Sequence, residues 1–214
     1  MCEAAEMTSI FLPTYHKSVN MCYNAPISIG TFVFAAAVAV WIFNRTPALA
    51  VSFVAIALMQ LVEFFIWMDQ GCGTLNKVAT ASILPTLALQ PLLITLAVAY
   101  FRAGLLPRFI YIVLALCVGA KLVQSVVEAP KTYGTCTRPG KSGRLIWQDV
   151  PWKEPGATFN YYYPTMALLF ATMKPIIITW PLLILYSLTY QMSATPSVWC
   201  NTVNACAAWA LVAA

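Results

Sequence analysis

Apolar residues run in long blocks along most of the chain, and polar positions collect in short breaks between them. Seven blocks approach the length a helix needs to cross roughly 30 Å of hydrocarbon at 1.5 Å per residue. They cover residues 25–43, 48–68, 79–101, 106–127, 158–173, 175–192 and 196–214. The breaks carry helix-ending chemistry: Asn44-Arg45-Thr46-Pro47 after the first block, Asp69 to Asn76 with two glycines after the second, and Arg102 to Arg108 after the third. Thr195 and Pro196 suit Ncap and N1 of the seventh. The fifth opens on Tyr161-Tyr162-Tyr163-Pro164, a cluster fit for a membrane interface. The pattern predicts an all-α polytopic membrane protein, a seven-transmembrane-helix bundle over 25–214. It lies behind an N-terminal segment, 1–24, and carries one long outer loop, 128–157, between helices 4 and 5. Mixed charges together with Trp147 and Trp152 give that loop material to fold over the helix ends.

Composition agrees, at 61% hydrophobic and 9% charged residues, and it excludes a soluble domain and a nucleic-acid partner. The net charge of +5 then reports topology. The loops after blocks 1, 3 and 5 hold Arg45, Arg102, Arg108 and Lys174 and no acidic residue, so the positive-inside rule makes that side cytoplasmic. The N-terminus and the long loop are then extracellular or lumenal. Residues 1–24 lack a basic stretch followed by an apolar core, so no cleavable signal peptide is expected. The string Asn44-Arg45-Thr46 falls on the cytoplasmic side and is read as unglycosylated.

Five of the seven cysteines, Cys2, Cys22, Cys72, Cys136 and Cys200, fall on or near the outer side, which points to an oxidising compartment and at least one disulfide. Cys72 with Cys136 is the preferred pair, because a bridge between them would pin the long loop over helices 2 and 3. Cys22 and Cys200 are further candidates, and free thiols remain the alternative.

Polar side chains inside the blocks mark the chemistry. Gln60, Glu63 and Trp67 recur at i, i+3 and i+7 in the second block, so they share one inward face. Lys121, Gln124 and Glu128 do the same in the fourth. Counted from the outer ends, Glu63 and Lys121 lie about 7–9 Å deep. An intramembrane charge costs about 2.5–3.5 kcal/mol, so two at one depth are expected to pair. Two structural alternatives stand beside a functional pair: one that only locks helices together, and a Lys121 that snorkels outward while a protonated Glu63 bonds Gln124. Ser82, Thr86 and Gln90 in the third block, with Pro91 freeing a carbonyl, and Asn201 and Asn204 in the seventh complete a candidate ligand or ion site in the outer half.

Several chemistries drop out. The one histidine, His16, excludes multi-histidine zinc hydrolases, bis-histidine haem carriers and Ser/His intramembrane proteases. No Cys-x-x-C supports a thiol oxidoreductase, and the last block has no lysine for a retinal Schiff base. No metal site, cofactor or enzymatic activity is expected.

The strings "QLVEFFIW" and "GRLIWQ", in a compact seven-helix frame with a cysteine-bearing outer loop, resemble uncharacterised multi-pass membrane proteins of algae and large algal DNA viruses. The resemblance implies the helix count and no mechanism. The residues themselves predict a small membrane transport or channel-like protein with a polar cavity around Glu63 and Lys121. One alternative is a structural or assembly subunit of a membrane complex or viral envelope, and another is a ligand-binding receptor. Expected partners are the lipid bilayer and either further copies of the chain or the subunits of a membrane complex.

Overall fold

The computed structural model describes residues 24–140, 145–146, 158–177, 179–181, 184 and 198–213. These are mostly helical: α1 Ala25–Ile42, α2 Pro47–Met68, α3 Thr74–Ala81, α4 Ile83–Phe101, α5 Arg108–Thr132, α6 Thr158–Thr172 and α7 Val198–Ala213. Four of them, α1, α2, α4 and α5, are long and apolar enough to cross a membrane. The sixth apolar block is helical at residues 176, 177, 179–181 and 184. Two two-residue strands, β1 Arg138–Pro139 and β2 Leu145–Ile146, pair antiparallel in the long loop, with Arg138 opposite Ile146.

Helix starts follow the local chemistry. Asn24 caps α1, its Oδ1 accepting from the Ile27 N–H at 3.0 Å, and Pro26 sits in the first turn where a missing N–H costs nothing. Pro47 opens α2 in the same way.

The third block departs from the single helix expected over 79–101. The helix begins earlier, at Thr74, breaks at Ser82 and resumes at Ile83. Pro85 supplies the reason, since it has no N–H to return to the carbonyl of Ala81. Ser82 bridges the break by donating its hydroxyl to the Ala79 carbonyl at 2.7 Å. At the same end of the bundle, α5 runs on to Thr132 rather than stopping near 127, because Pro130 falls in its last turn and interrupts little.

The helices pack in a series: α7 on α1, α1 on α2, α2 on α4, and α4 on both α5 and α6. α1 turns Ser28, Thr31, Ala35, Val38, Ala39 and Ile42 inward, a stripe of mostly small side chains. The α1–α7 seam adds Cys206, Ala207 and Ala210, all buried, and such residues let backbones approach closely where lipid leaves no hydrophobic drive for association. α2 is the core helix, while α5 exposes Ile112, Val113, Leu116, Val123, Val126 and Val127, a face suited to lipid.

One corner fastens the long loop to the bundle. Cys72 and Cys136 form a disulfide with Cα atoms 5.7 Å apart, the pairing preferred from sequence. Beside it, Asn76 is fully buried and donates through Nδ2 to the carbonyls of Asp69 and Thr137, each at 3.0 Å. Its Oδ1 accepts from the Thr137 N–H and the Thr80 hydroxyl, both at 3.1 Å. The amide therefore replaces the backbone pairing that an irregular loop cannot supply for itself. Truncation to Asn76→Ala would leave buried carbonyls without donors, and is expected to destabilise the fold by about 1–3 kcal/mol. Thermal unfolding of the purified, disulfide-intact protein measures this.

Candidate functional site

α2 carries the centre of the polar interior. Ile56, Gln60, Glu63 and Trp67 follow one another at helical spacing, so they form a stripe along one face. Gln60 and Glu63 are each 1% exposed, and Trp67 is half-buried. The stripe faces the bundle interior, as its periodicity predicts. Glu63 lies five residues from the helix end at Met68, so the backbone N–H groups around it are committed to the helix and cannot donate to the carboxylate.

α4 brings the second component. Gln90 is buried at the α2–α4–α6 junction, where its Nε2 donates to the Ile56 carbonyl at 3.2 Å and its Oε1 accepts from the buried Tyr162 hydroxyl at 2.5 Å. One amide thus joins three helices. Ile56 lies two turns, about 10 Å, along α2 from Glu63, with Gln60 between them. Tyr162 was read from sequence as an interfacial anchor. It is instead buried and bonded inside the bundle, because α6 rotates this member of the tyrosine cluster toward α4.

The fourth-block residues are bonded along their own helix. Lys121 Nζ donates to Gln124 Oε1 at 2.9 Å, and Gln124 Nε2 donates to Glu128 Oε1 at 3.0 Å. The chain Lys121–Gln124–Glu128 therefore runs along α5 itself. Lys121 also stands 5.9 Å from the centre of the Tyr161 ring on α6, within cation–π range. α4 packs between α2 and α5. Gln60 and Glu63 share α2, and Lys121, Gln124 and Glu128 share α5.

The seventh-block residues divide. Asn204 Nδ2 donates to Thr31 Oγ1 at 3.1 Å and ties α7 to α1, away from the Gln90 junction. The side chains of Asn201 and Cys200, and all of Cys22, lie outside the described residues. Cys117 is an exposed free thiol and Cys206 a buried one.

Sequence reasoning passed over the disulfide corner as a polar site. Asp69 Oδ1 accepts from the Gly73 N–H at 3.0 Å and Oδ2 from the Asn76 N–H at 3.1 Å, so one carboxylate caps the start of α3. A Cβ on Gly73 would collide with that carboxylate, so a glycine is required. The spacing Asp69, Gly73, Asn76, Thr80 in a short polar helix was the available signal: Asn76 and Thr80 stand at i, i+4 on one face.

No protein-family model, curated protein or solved structure matches the chain.

The N–H bonds from Asn76 and Gly73 hold the Asp69 carboxyl below its ordinary value of 3.8. A carboxyl held low in the folded state contributes stability that is present above the unfolded value and is lost as pH falls through the range below 3.8. Unfolding followed from neutral to acidic pH is expected to show that loss in the wild type and a flatter profile in Asp69→Asn.

Proposed function

We propose that the protein is a small multi-pass membrane transport protein, channel-like in scale, in which Glu63 is the ionisable group that binds the transported proton or cation. The observation that carries this reading is a carboxylate only 1% exposed on the interior face of a 22-residue apolar helix. Such a residue costs about 2.5–3.5 kcal/mol to bring into a membrane, and ionisable groups inside membrane bundles mark ion and proton pathways. Gln60 supports the site from the preceding turn of α2. Trp67 supports it from the following turn, where a buried Nε1 donor has no acceptor among the described residues. Gln90 and Tyr162 form its polar wall toward the opposite end of α2. In this reading Lys121 is the counter-charge to Glu63 and an anion-attracting group, with Gln124 and Glu128 beside it on α5.

The proposed frame has seven crossings: α1, α2, α4, α5, α6, the helical sixth block and α7, with α3 lying as a short turn under the disulfide corner. A disulfide belongs to an oxidising compartment, which favours an extracellular or lumenal N-terminus and long loop and a cytoplasmic C-terminus. The positive residues in the opposite loops favour the same orientation.

A second reading, a structural or assembly subunit of a membrane complex, is favoured by Gln90, whose two hydrogen bonds lock three helices together. Flux from liposomes separates the two. With the protein reconstituted, Glu63→Gln is expected to lower proton or cation flux about tenfold or more, since tenfold in rate corresponds to only about 1.4 kcal/mol. Absence of flux for protons, cations and anions in folded wild-type protein would sink the transport reading.

A further inference from the structure

α3 is inverted relative to a surface helix of a water-soluble fold. Such a helix turns its apolar side to the core, whereas Thr74–Ala81 turns polar side chains inward and apolar ones outward. Asn76 is fully buried and Thr80 nearly so, while Leu75 and Val78 are 43% and 50% exposed. Leu75 and Val78 stand at i, i+3 and Asn76 and Thr80 at i, i+4, so the two pairs define opposite faces. The inward face is fixed by hydrogen bonds: the Thr137 N–H donates to Asn76 Oδ1 and Thr80 Oγ1, both at 3.1 Å. α3 therefore cannot roll Leu75 and Val78 inward without breaking its hold on the long loop.

The level of this face follows from its neighbours in the chain. α2 ends at Met68 and α4 begins at Ile83, and both are long and apolar enough to cross a membrane. The 19 residues of α4 span about 28 Å at 1.5 Å each, close to the roughly 30 Å of hydrocarbon. α3 thus begins where the hydrocarbon ends. Ser82 separates the two helices with ψ −7°, against about −42° in an α-helix, so α3 is not a straight continuation of α4.

We infer that α3 is an interfacial helix, whose outward face of Leu75 and Val78 is embedded in the lipid leaflet on the disulfide side. A helix with one apolar and one polar face settles at the boundary between headgroups and acyl chains, with the apolar face about 5–10 Å into it. Here the polar face is taken up by the long loop, so the apolar face is the one left to meet lipid.

Neighbouring side chains fit the same level. Phe65 and Met68, exposed at i, i+3 in the last turns of α2, continue the apolar surface up to the α2–α3 turn. Tyr133 is exposed just past the end of α5, a position suited to an interfacial aromatic. Lys77 stands on the border between the two faces of α3, where a long apolar stem and a charged tip suit a headgroup layer. Because Cys72–Cys136 and Thr137 join the long loop to this corner, the start of that loop is held at the membrane surface. The inference rests on α2 and α4 crossing the membrane, and it applies to a transporter and to a structural subunit alike.

The test uses the full wild-type chain in phosphatidylcholine nanodiscs that contain a phospholipid with a photoactivatable diazirine on its acyl chain. A second sample receives a water-soluble diazirine, and adducts are located by peptide mass spectrometry. The acyl-chain reagent is expected to mark Leu75 and Val78 as it marks Phe65 and Met68, and the water-soluble reagent to mark the exposed Arg138 and Pro139 while sparing Leu75 and Val78. Leu75→Gln with Val78→Gln is expected to lower acyl-chain adducts on α3 about tenfold, with Phe65 and Met68 marked as before. Leu75→Ile with Val78→Ile should keep them. Water-soluble adducts at wild-type Leu75 and Val78, with Phe65 and Met68 still marked from lipid, overturn the inference and leave the crossing helices in place. Adducts from neither reagent at Leu75 and Val78 reveal a protein surface over them and overturn it as well. Failure of the acyl-chain reagent to mark Phe65, Met68 and the exposed Leu116 of α5 overturns the membrane crossing and the inference together.

Discussion

Hydrocarbon offers no hydrogen bonds, so a polar atom that enters it must find its partner inside the protein. The arrangement of this bundle follows from that constraint. Gln90 sits where three helices meet, because one amide with a donor and an acceptor can there satisfy an α2 carbonyl and an α6 hydroxyl together. Asn204 meets Thr31 across the α1–α7 seam for the same reason. Lys121 donates along its own helix to Gln124, which donates on to Glu128, and it stands within cation–π range of the Tyr161 ring. Glu63 is the costliest member of the set, and α2 places it in the interior rather than against lipid.

The two ends of the bundle solve different problems. At one end an irregular loop must be held down, and the solution is covalent and local: the Cys72–Cys136 bridge, the Asp69 cap and the buried Asn76 amide occupy one corner. At the other end Arg45, Arg102, Arg108 and Lys174 line two cavities, between loops held together by the Leu105–Thr172 and Lys174–Ala103 backbone bonds.

Much of the frame was legible because lipid simplifies the code. Apolar blocks near the length of the hydrocarbon, punctuated by Asn24, Pro47 and Pro107, mark helices whether or not their neighbours are known. The inward stripe of α2 is legible too, since helical spacing alone sets which side chains share a face, whereas the α5 stripe expected to face inward has Gln124 exposed. The Cys72–Cys136 bridge could be preferred because both thiols lie in loops on the same side. The break at Ser82 is not legible from hydropathy, because a run of apolar residues outweighs the single Pro85.

The pairing of polar stripes was beyond sequence. Matching depths make Glu63 and Lys121 natural partners, but depth is one coordinate and pairing also needs rotation and adjacency. α4 packs against both of their helices, and Lys121 also has an acceptor on its own face. Tyr162 likewise changes from an interfacial residue to a core hydrogen-bond donor once α6 is rotated against α4. The positions of the apolar helices and the inward stripe of α2 could be read from the chain alone, because these depend on residues a few positions apart. Which faces meet, and hence which polar groups satisfy one another, was decided only by the tertiary structure, because helix order and rotation depend on packing between residues distant along the chain.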